Sequence, residues 1–160
     1  APHCRLDLSV NILTNHAVNN KKIVVLGGGE QKRPNLHVAD MCRSYELLVD
    51  RELNDINGEV FNVSYENKKI IELAEIVAKN VKSFFGYDNI EIEVKKETVD
   101  NRSYHVNSDK IKRVLDFSPK YNIDDAVISL CHAFKDGKLP NSLTDSKYSN
   151  VATLKKLNVE

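Results

Sequence analysis

Apolar positions along this chain mark out helices and strands in alternation. Leu6, Val10, Leu13 and Ala17 recur at helical spacing, which predicts an amphipathic helix after a short opening loop. The run Ile23-Val24-Val25-Leu26 reads as a buried strand. Beyond a glycine run, Val38, Met41, Cys42, Tyr45, Leu48 and Val49 form the stripe of a second helix, with Cys42 expected inside as a small core residue. Asn57-Gly58 signals a turn, and Glu59-Val60-Phe61-Asn62-Val63 reads as the next strand. Ile70, Leu73, Ala74, Val77, Val81, Phe84 and Phe85 mark the longest helix, with Gly86 as its stop. Ile90, Ile92 and Val94 alternate with Glu91, Glu93 and Lys95, the pattern of a half-exposed strand. A short helix over 109–115 follows, with Ser108 as its cap. Asn122 is expected to cap a last helix, whose face is Ile123, Ala126, Val127, Leu130 and Phe134 and whose end is Gly137.

This alternation places the chain in the α/β class. About three strands with five helices are too few for a complete doubly wound sheet, and open sheet edges are a liability. A part of something larger is therefore expected, with 1–138 as its body. From Leu139 the chain turns polar, and 139–160 reads as a tail that packs back through Tyr148, Val151 and Leu154.

Composition narrows the function classes. With 160 residues, 41% hydrophobic and 29% charged, the chain has the make-up of one globular domain. Lys plus Arg number 23, as do Asp plus Glu, so no net field draws it to nucleic acid or an acidic membrane. Neither a membrane-spanning run nor a signal-peptide pattern is present, and a cytoplasmic location is expected. Cys4, Cys42 and Cys131 are odd in number and widely spaced, which suggests neither disulfides nor zinc; no metal is expected. Cys131 and His132 are adjacent on a helix and point apart, so they make no catalytic pair.

The chemistry concentrates in two segments. In Gly27-Gly28-Gly29-Glu30-Gln31-Lys32-Arg33-Pro34, a glycine turn follows a strand and delivers one arginine ahead of an apparent helix. A guanidinium suits phosphate because it can bond two oxygens at once. The same run is no dinucleotide fingerprint, since Lys32 stands where the third glycine is required and no helix opens at the turn. A plain glycine turn is the other reading. The second segment is Asp100-Asn101-Arg102-Ser103-Tyr104, an arginine just ahead of an aromatic and a helix cap. Two arginines from distant segments are the clamp that a diphosphate calls for. Tyr65-Glu66-Asn67-Lys68-Lys69 has the Y-x-x-x-K spacing of a catalytic tyrosine and lysine, but it lies between a strand and a helix, where one-face geometry is not assured, and is read as coincidence.

The first segment, continued to Val38 and Asp40, resembles the G-x-G-x-Q-x-R-x-x-x-x-V-x-D signature of nucleotide-sugar epimerases and dehydratases, the extended short-chain dehydrogenase/reductase family. The second resembles that family's D-x-R-x-Y, Val60-Phe61-Asn62-Val63 its F/Y-N-V/I-G strand with Ser64 in place of the glycine, 1–5 its G-x-S-P-R loop after the sixth Rossmann strand, and Leu6–Asn11 the D-L-V-V-N of a subfamily. The resemblance implies that Arg33 and Arg102 hold the diphosphate of a nucleoside-diphosphate sugar. It places Tyr104 and Asn62 close by, makes Asn11 a further contact, and leaves His37 and Asp40 to support the fold. It implies NAD in the parent enzyme, which resembles UDP-glucose 4-epimerase and is expected to be a homodimer. No cofactor is expected on this chain, whose βαβ cofactor half, catalytic Tyr and Lys, and triad Ser or Thr are missing. The expectation is a sugar-nucleotide-binding portion, inactive alone, whose Rossmann half comes in cis or in trans. A non-catalytic binding module, or a subunit completing a separate Rossmann chain, is the alternative.

Overall fold

The opening amphipathic stretch forms helix α1 (Ser9–Asn20) in the computed structural model, which describes residues 4–96 and 102–157. Strand β1 (Lys22–Leu26) and a 3-10 turn (Gly27–Gly29) follow. Strand β2 (Lys32–Asn35) comes next, then helices α2 (Val38–Val49) and α3 (Leu53–Ile56). Strand β3 (Glu66–Lys69) leads directly into α4 (Ile70–Phe85), which ends on Gly86 with φ 67°. Strand β4 (Glu91–Lys95) and helices α5 (Asp109–Leu115), α6 (Ile123–Lys135) and α7 (Asn150–Lys156) complete the order.

Two small sheets result. Strands β1 and β4 pair in parallel, Ile23 opposite Ile92 and Val25 opposite Val94, and Lys22 reaches Glu91 and Glu93, both at 2.9 Å. Strands β2 and β3 pair antiparallel, with Arg33 opposite Lys68. The main core lies where α1, α4 and α6 meet β1; Leu13, Ala17, Ile23, Val25, Leu73, Val77, Val81 and Val127 are all buried there. A second cluster is built on Ile111 and Leu115 of α5 with Phe117, against which Leu47, Leu48, Ile56, Phe61 and Val63 pack.

Several expectations need correction. Residues 59–63 belong to neither ladder; the strand of this region is Glu66–Lys69, whose partner β2 was expected to be loop and helix. The outward-inward alternation of 59–63 is nevertheless present, with Phe61 and Val63 on the second cluster and Val60 75% exposed. Pairing, not pattern, is what failed, because no neighbouring strand stands beside this run among the described residues. Helix α2 is turned over: it buries Asp40 and Ser44, while Val38, Tyr45 and Val49 are exposed and Cys42, expected in the core, is exposed too. Ser108 precedes α5 but does not cap it; its Oγ accepts from the Ser64 amide at 2.7 Å, and Asn107 Oδ1 takes the Asp109 amide instead. Asn122 does cap α6, accepting from the Asp125 amide while Asp125 accepts from its own.

The segment from 139 crosses back over α1. Tyr148 is buried, its carbonyl accepts from the Leu6 amide at 2.8 Å, and Asn15 donates to Ser142 O. Val151 and Leu154, by contrast, are exposed. Cys131 is buried in the main core, where burial pushes its thiol up to about 11, a poor nucleophile, and His132 meets the Phe84 ring edge-on. No helix of the described residues is long and apolar enough to cross a membrane. Residues 1–3 of the opening loop, and Asp100 and Asn101 of the second arginine segment, lie outside the described residues.

The glycine run has a packing role that separates its members. A Cβ on Gly29 would stand 2.8 Å from Val25 Cγ1 and 3.0 Å from Ile71 Cβ, whereas one on Gly28 meets nothing within 4 Å; both residues have positive φ. Overpacking added to left-handed strain makes Gly29→Ala cost about 2–4 kcal/mol. Gly28→Ala should cost only about 1 kcal/mol, the conformational part alone. Urea denaturation of the two variants checks the difference, and equal losses would contradict this account of the turn.

Candidate functional site

Asp40, buried near the start of α2, organises the surroundings of a cavity between α2, β2 and the start of α6. Its carboxylate accepts from the Lys120 amide at 3.0 Å to each oxygen and from the Tyr121 amide at 2.9 Å, and it pairs with Arg43 at 2.5 Å. Arg43 in turn donates to Ser118 O. Burial pushes the Asp40 carboxyl up, but the two backbone amides and the guanidinium outweigh it and hold the group below the usual carboxylate range. The turn ahead of α6 is thus tied to α2, and Tyr121 comes to lie against His37, ring centroids 4.9 Å apart. His37 Nδ1 accepts from the Ala39 amide and starts α2. Glu66 of β3 accepts from the Ile123 amide at 2.9 Å and binds the start of α6 to the β2–β3 sheet.

Between these elements opens a cavity of about 670 Å³. Arg33, Arg102, Tyr104 and Asn11 line it together, with His37, Tyr65, Glu66 and Tyr121. Arg33 and Arg102 are 69 residues apart in sequence, yet Arg33 Nη1 donates to the Arg102 carbonyl as well as to Lys32 O at 2.9 Å. The guanidinium lies over the Tyr104 ring, 5.5 Å from its centroid, a cation–π contact. What brings the two segments together is backbone lacing along β2. The Lys32 amide donates to Ser103 Oγ at 3.0 Å, and the Tyr104 amide reaches Lys32 O at 3.5 Å. Asn11 is held from α1 by a 2.7 Å bond from its amide nitrogen to Arg5 O. Asn62 stands apart: it is exposed on the 59–63 run and does not line this cavity. Such a recess, with two guanidinium groups and several aromatic rings, suits a flat polar ligand that carries an anionic group.

Tyr121 and Tyr65 are cavity residues that sequence reasoning did not single out as ligands. The aromatic directly ahead of the helix cap Asn122 was the available signal for Tyr121. Tyr65 and Lys69 do not form a catalytic pair: Tyr65 precedes β3 and Lys69 ends it, so four strand residues set them roughly 13 Å apart along the backbone. Lys69 instead pairs with Glu30 at 2.7 Å. The glycine run does not fit a dinucleotide either. The element after it is strand β2 and not a helix N-terminus, and the open side of Gly29 is occupied by Val25 and Ile71. No cluster of three or more His, Cys, Asp or Glu side chains that could hold a metal occurs among the described residues.

Comparison with known proteins agrees with this architecture. A family model described as GDP-mannose 4,6 dehydratase matches residues 6–130. The chain is 26% identical over 130 residues to the dTDP-glucose 4,6-dehydratase of Streptomyces niveus, covering 81% of this chain and 37% of that protein. Among solved structures, the dTDP-glucose 4,6-dehydratase of Bacillus anthracis in complex with NAD superposes with a TM-score of 0.65 at 21% identity, over 91% of this chain and 44% of that one. The UDP-glucuronic acid 4-epimerase of Bacillus cereus, in complex with UDP-glucuronic acid and NAD, gives 0.65 at 20% identity over 82% and 41%. The UDP-glucose 4-epimerase of Thermotoga maritima with UDP-glucose gives 0.64 at 22% over 81% and 40%. The chain belongs to the GDP-mannose 4,6 dehydratase family, among the nucleotide-sugar epimerases and dehydratases of the extended short-chain dehydrogenase/reductase type. It spans about two-fifths of the length of these relatives.

The Asp40 carboxylate offers a direct test of how the cavity is held. Asp40→Asn should lower stability at neutral pH by about 1.5–3 kcal/mol, the range for hydrogen bonds to a charged group. Because the folded-state pKa is depressed, this contribution is fully present above the unfolded carboxylate pKa and drains away as pH falls through the folded value. The stability gap between wild type and variant should therefore close in acid. Urea midpoints measured from neutral pH through the unfolded Asp value of about 3.9 and on down to about pH 2 check this, and a gap that does not narrow at all below about pH 4 would assign the loss to packing.

Proposed function

We propose that this chain is the nucleotide-sugar-binding portion of an NAD-dependent nucleotide-sugar epimerase or dehydratase, with Arg33 and Arg102 gripping the diphosphate. The observation that carries this reading is the convergence of these two arginines, with Tyr104 and Asn11, on one cavity. UDP-sugars bound to two of the related structures support a nucleoside-diphosphate sugar as the ligand. In this reading Tyr104 steadies Arg33 from its ring face, and Asn11 and Tyr121 border the nucleotide or sugar. Asn62 serves the ligand only in the completed enzyme. Residues 1–138 make up the binding body, and 139–160 brace it as a tail.

The hydride and proton chemistry belongs to a Rossmann half supplied in cis or in trans, and NAD binds there and not on this chain. The complete enzyme is cytoplasmic and a homodimer, and this chain alone is inactive. The exposed stripe of α2 favours a part awaiting completion over a self-sufficient binding module.

Nucleoside-diphosphate sugars should raise the melting temperature of the chain, whereas the matching free sugars and NAD should not. Arg33→Ala and Arg102→Ala should each weaken sugar-nucleotide binding by about 1.5–3 kcal/mol, and their double-mutant cycle should show coupling. Arg→Lys should recover only part of the loss, since an ammonium makes no bidentate contact. Calorimetric titration of folded variants reads these outcomes, and an Arg33→Ala chain of unchanged affinity would end the diphosphate reading.

A further inference from the structure

We infer that Asp7 is a positioning residue: it links the C-terminal segment to Asn11 and so aids the binding of an anion that its own charge opposes. The nature of that anion rests on the function proposed above; the link itself does not. Asn11, Asn15 and Asn19 stand four residues apart, which sets them along one face of α1. Each commits its amide nitrogen within the fold. Asn11 donates to Arg5 O at 2.7 Å, Asn15 to Ser142 O at 3.0 Å, and Asn19 to Asn15 O at 2.8 Å and Ser142 Oγ at 3.2 Å. The opening loop and the segment from 139 therefore meet along this face.

There the two segments close a circuit that ends in the cavity. The Leu6 amide donates to Tyr148 O at 2.8 Å, and the Asn150 amide donates to Asp7 Oδ2 at 3.2 Å. Tyr148 is itself buried, with its hydroxyl on Pro140 O at 3.0 Å. Asp7 also accepts from Arg5 Nε at 2.9 Å and Nη2 at 3.3 Å, a bidentate pair, and the carbonyl of the same Arg5 holds Asn11. The Arg5 bond and, after it, the Asn150 amide outweigh burial and keep the Asp7 carboxyl below the usual carboxylate range. Asp7 and Asn11 line the cavity that Arg33 and Arg102 share. A carboxylate beside an anion site is a liability by charge alone, and its removal would tighten phosphate binding by about twofold across a solvated cavity. The circuit reverses that sign. With its nitrogen on Arg5 O, Asn11 keeps its carbonyl oxygen to accept from a ligand O–H or N–H. A side chain held ready binds more tightly than one the ligand must order.

The chain would be titrated calorimetrically with UDP-glucose, dTDP-glucose and GDP-mannose, and its folded variants with whichever of them binds. Asp7→Ala should weaken binding about five- to tenfold. In an Asn11→Ala background the same substitution should add nothing, because Asp7 acts through that side chain. Asn150 is the first residue of α7, where proline is accepted, and Ser149 before it is already extended, so Asn150→Pro removes the amide hydrogen without breaking the helix. Asn150→Ala keeps that hydrogen, and the proline variant should bind about two- to threefold more weakly than the alanine one. Tighter binding by Asp7→Ala would reduce Asp7 to a bare charge and overturn the positioning role. An undiminished effect in the Asn11→Ala background would make Asp7 a direct ligand contact and overturn it too, and equal affinities of the two Asn150 variants would remove the C-terminal segment from the link. Nuclear magnetic resonance reads the link without ligand. The Asn11 side-chain amide signals, identified by their loss in Asn11→Ala, should shift in Asp7→Ala and in Asn150→Pro. Shifted signals with no binding of any of the three sugar nucleotides sink the proposed function and leave the link; binding with unmoved Asn11 signals sinks the link and leaves the function.

Discussion

A single buried carboxylate sets the geometry on which the cavity depends. Asp40 gathers the amides of Lys120 and Tyr121 and the guanidinium of Arg43, and so joins α2 to the turn that begins α6. Removing a charge from water is tolerable only with such partners, and these bonds offset its burial. The consequence reaches both faces of the helix. Inward, Tyr121 is placed against His37 at the cavity. Outward, the apolar stripe is left facing solvent.

Two guanidinium groups repel, so the arginine segments are brought together by backbone lacing and by the Arg33 bond to the Arg102 carbonyl. Strand β2 carries Arg33, its ladder to β3 fixes the strand against α4, and the 102–104 segment is laced alongside through Lys32 and Ser103. Pairing a short strand with a loop in this way converts a flexible glycine-flanked segment into a fixed one. The glycines contribute close packing: Gly29 lets β1 and the start of α4 approach to a distance that no side chain would permit. Under the proposed function, that rigidity is what presents two cations to one ligand without reorganisation on binding.

The elements that define the main core were legible in the sequence. Leu13, Ala17, Leu73, Val77, Val81 and Val127 lie at helical spacing and are buried, Gly86 ends one helix and Asn122 begins another as their chemistry requires, and Ile90 and Ile92 turn inward, although Val94, alike in pattern, is exposed. Local preference and burial agree in the three helices, so pattern suffices there. The arginine segments were likewise visible as residues. That both reach one cavity was not, because a contact over 69 residues leaves no local periodicity.

Tertiary structure alone decided the rest. Periodicity found the stripe of α2 but not the direction in which it points, because a buried Asp40 with three partners overrides the hydrophobic side of a helix. It found the alternation of 59–63 but not its pairing, which requires a neighbouring strand that composition cannot supply. It missed β2 and β3, whose residues Lys32–Asn35 and Glu66–Lys69 are polar and charged and form strands only because each is the other's partner. The sequence by itself determined which segments are apolar, where helices stop and which cations are available. Which face is inside, and which strands meet, are properties of pairs of segments, and only the fold brings those pairs into contact.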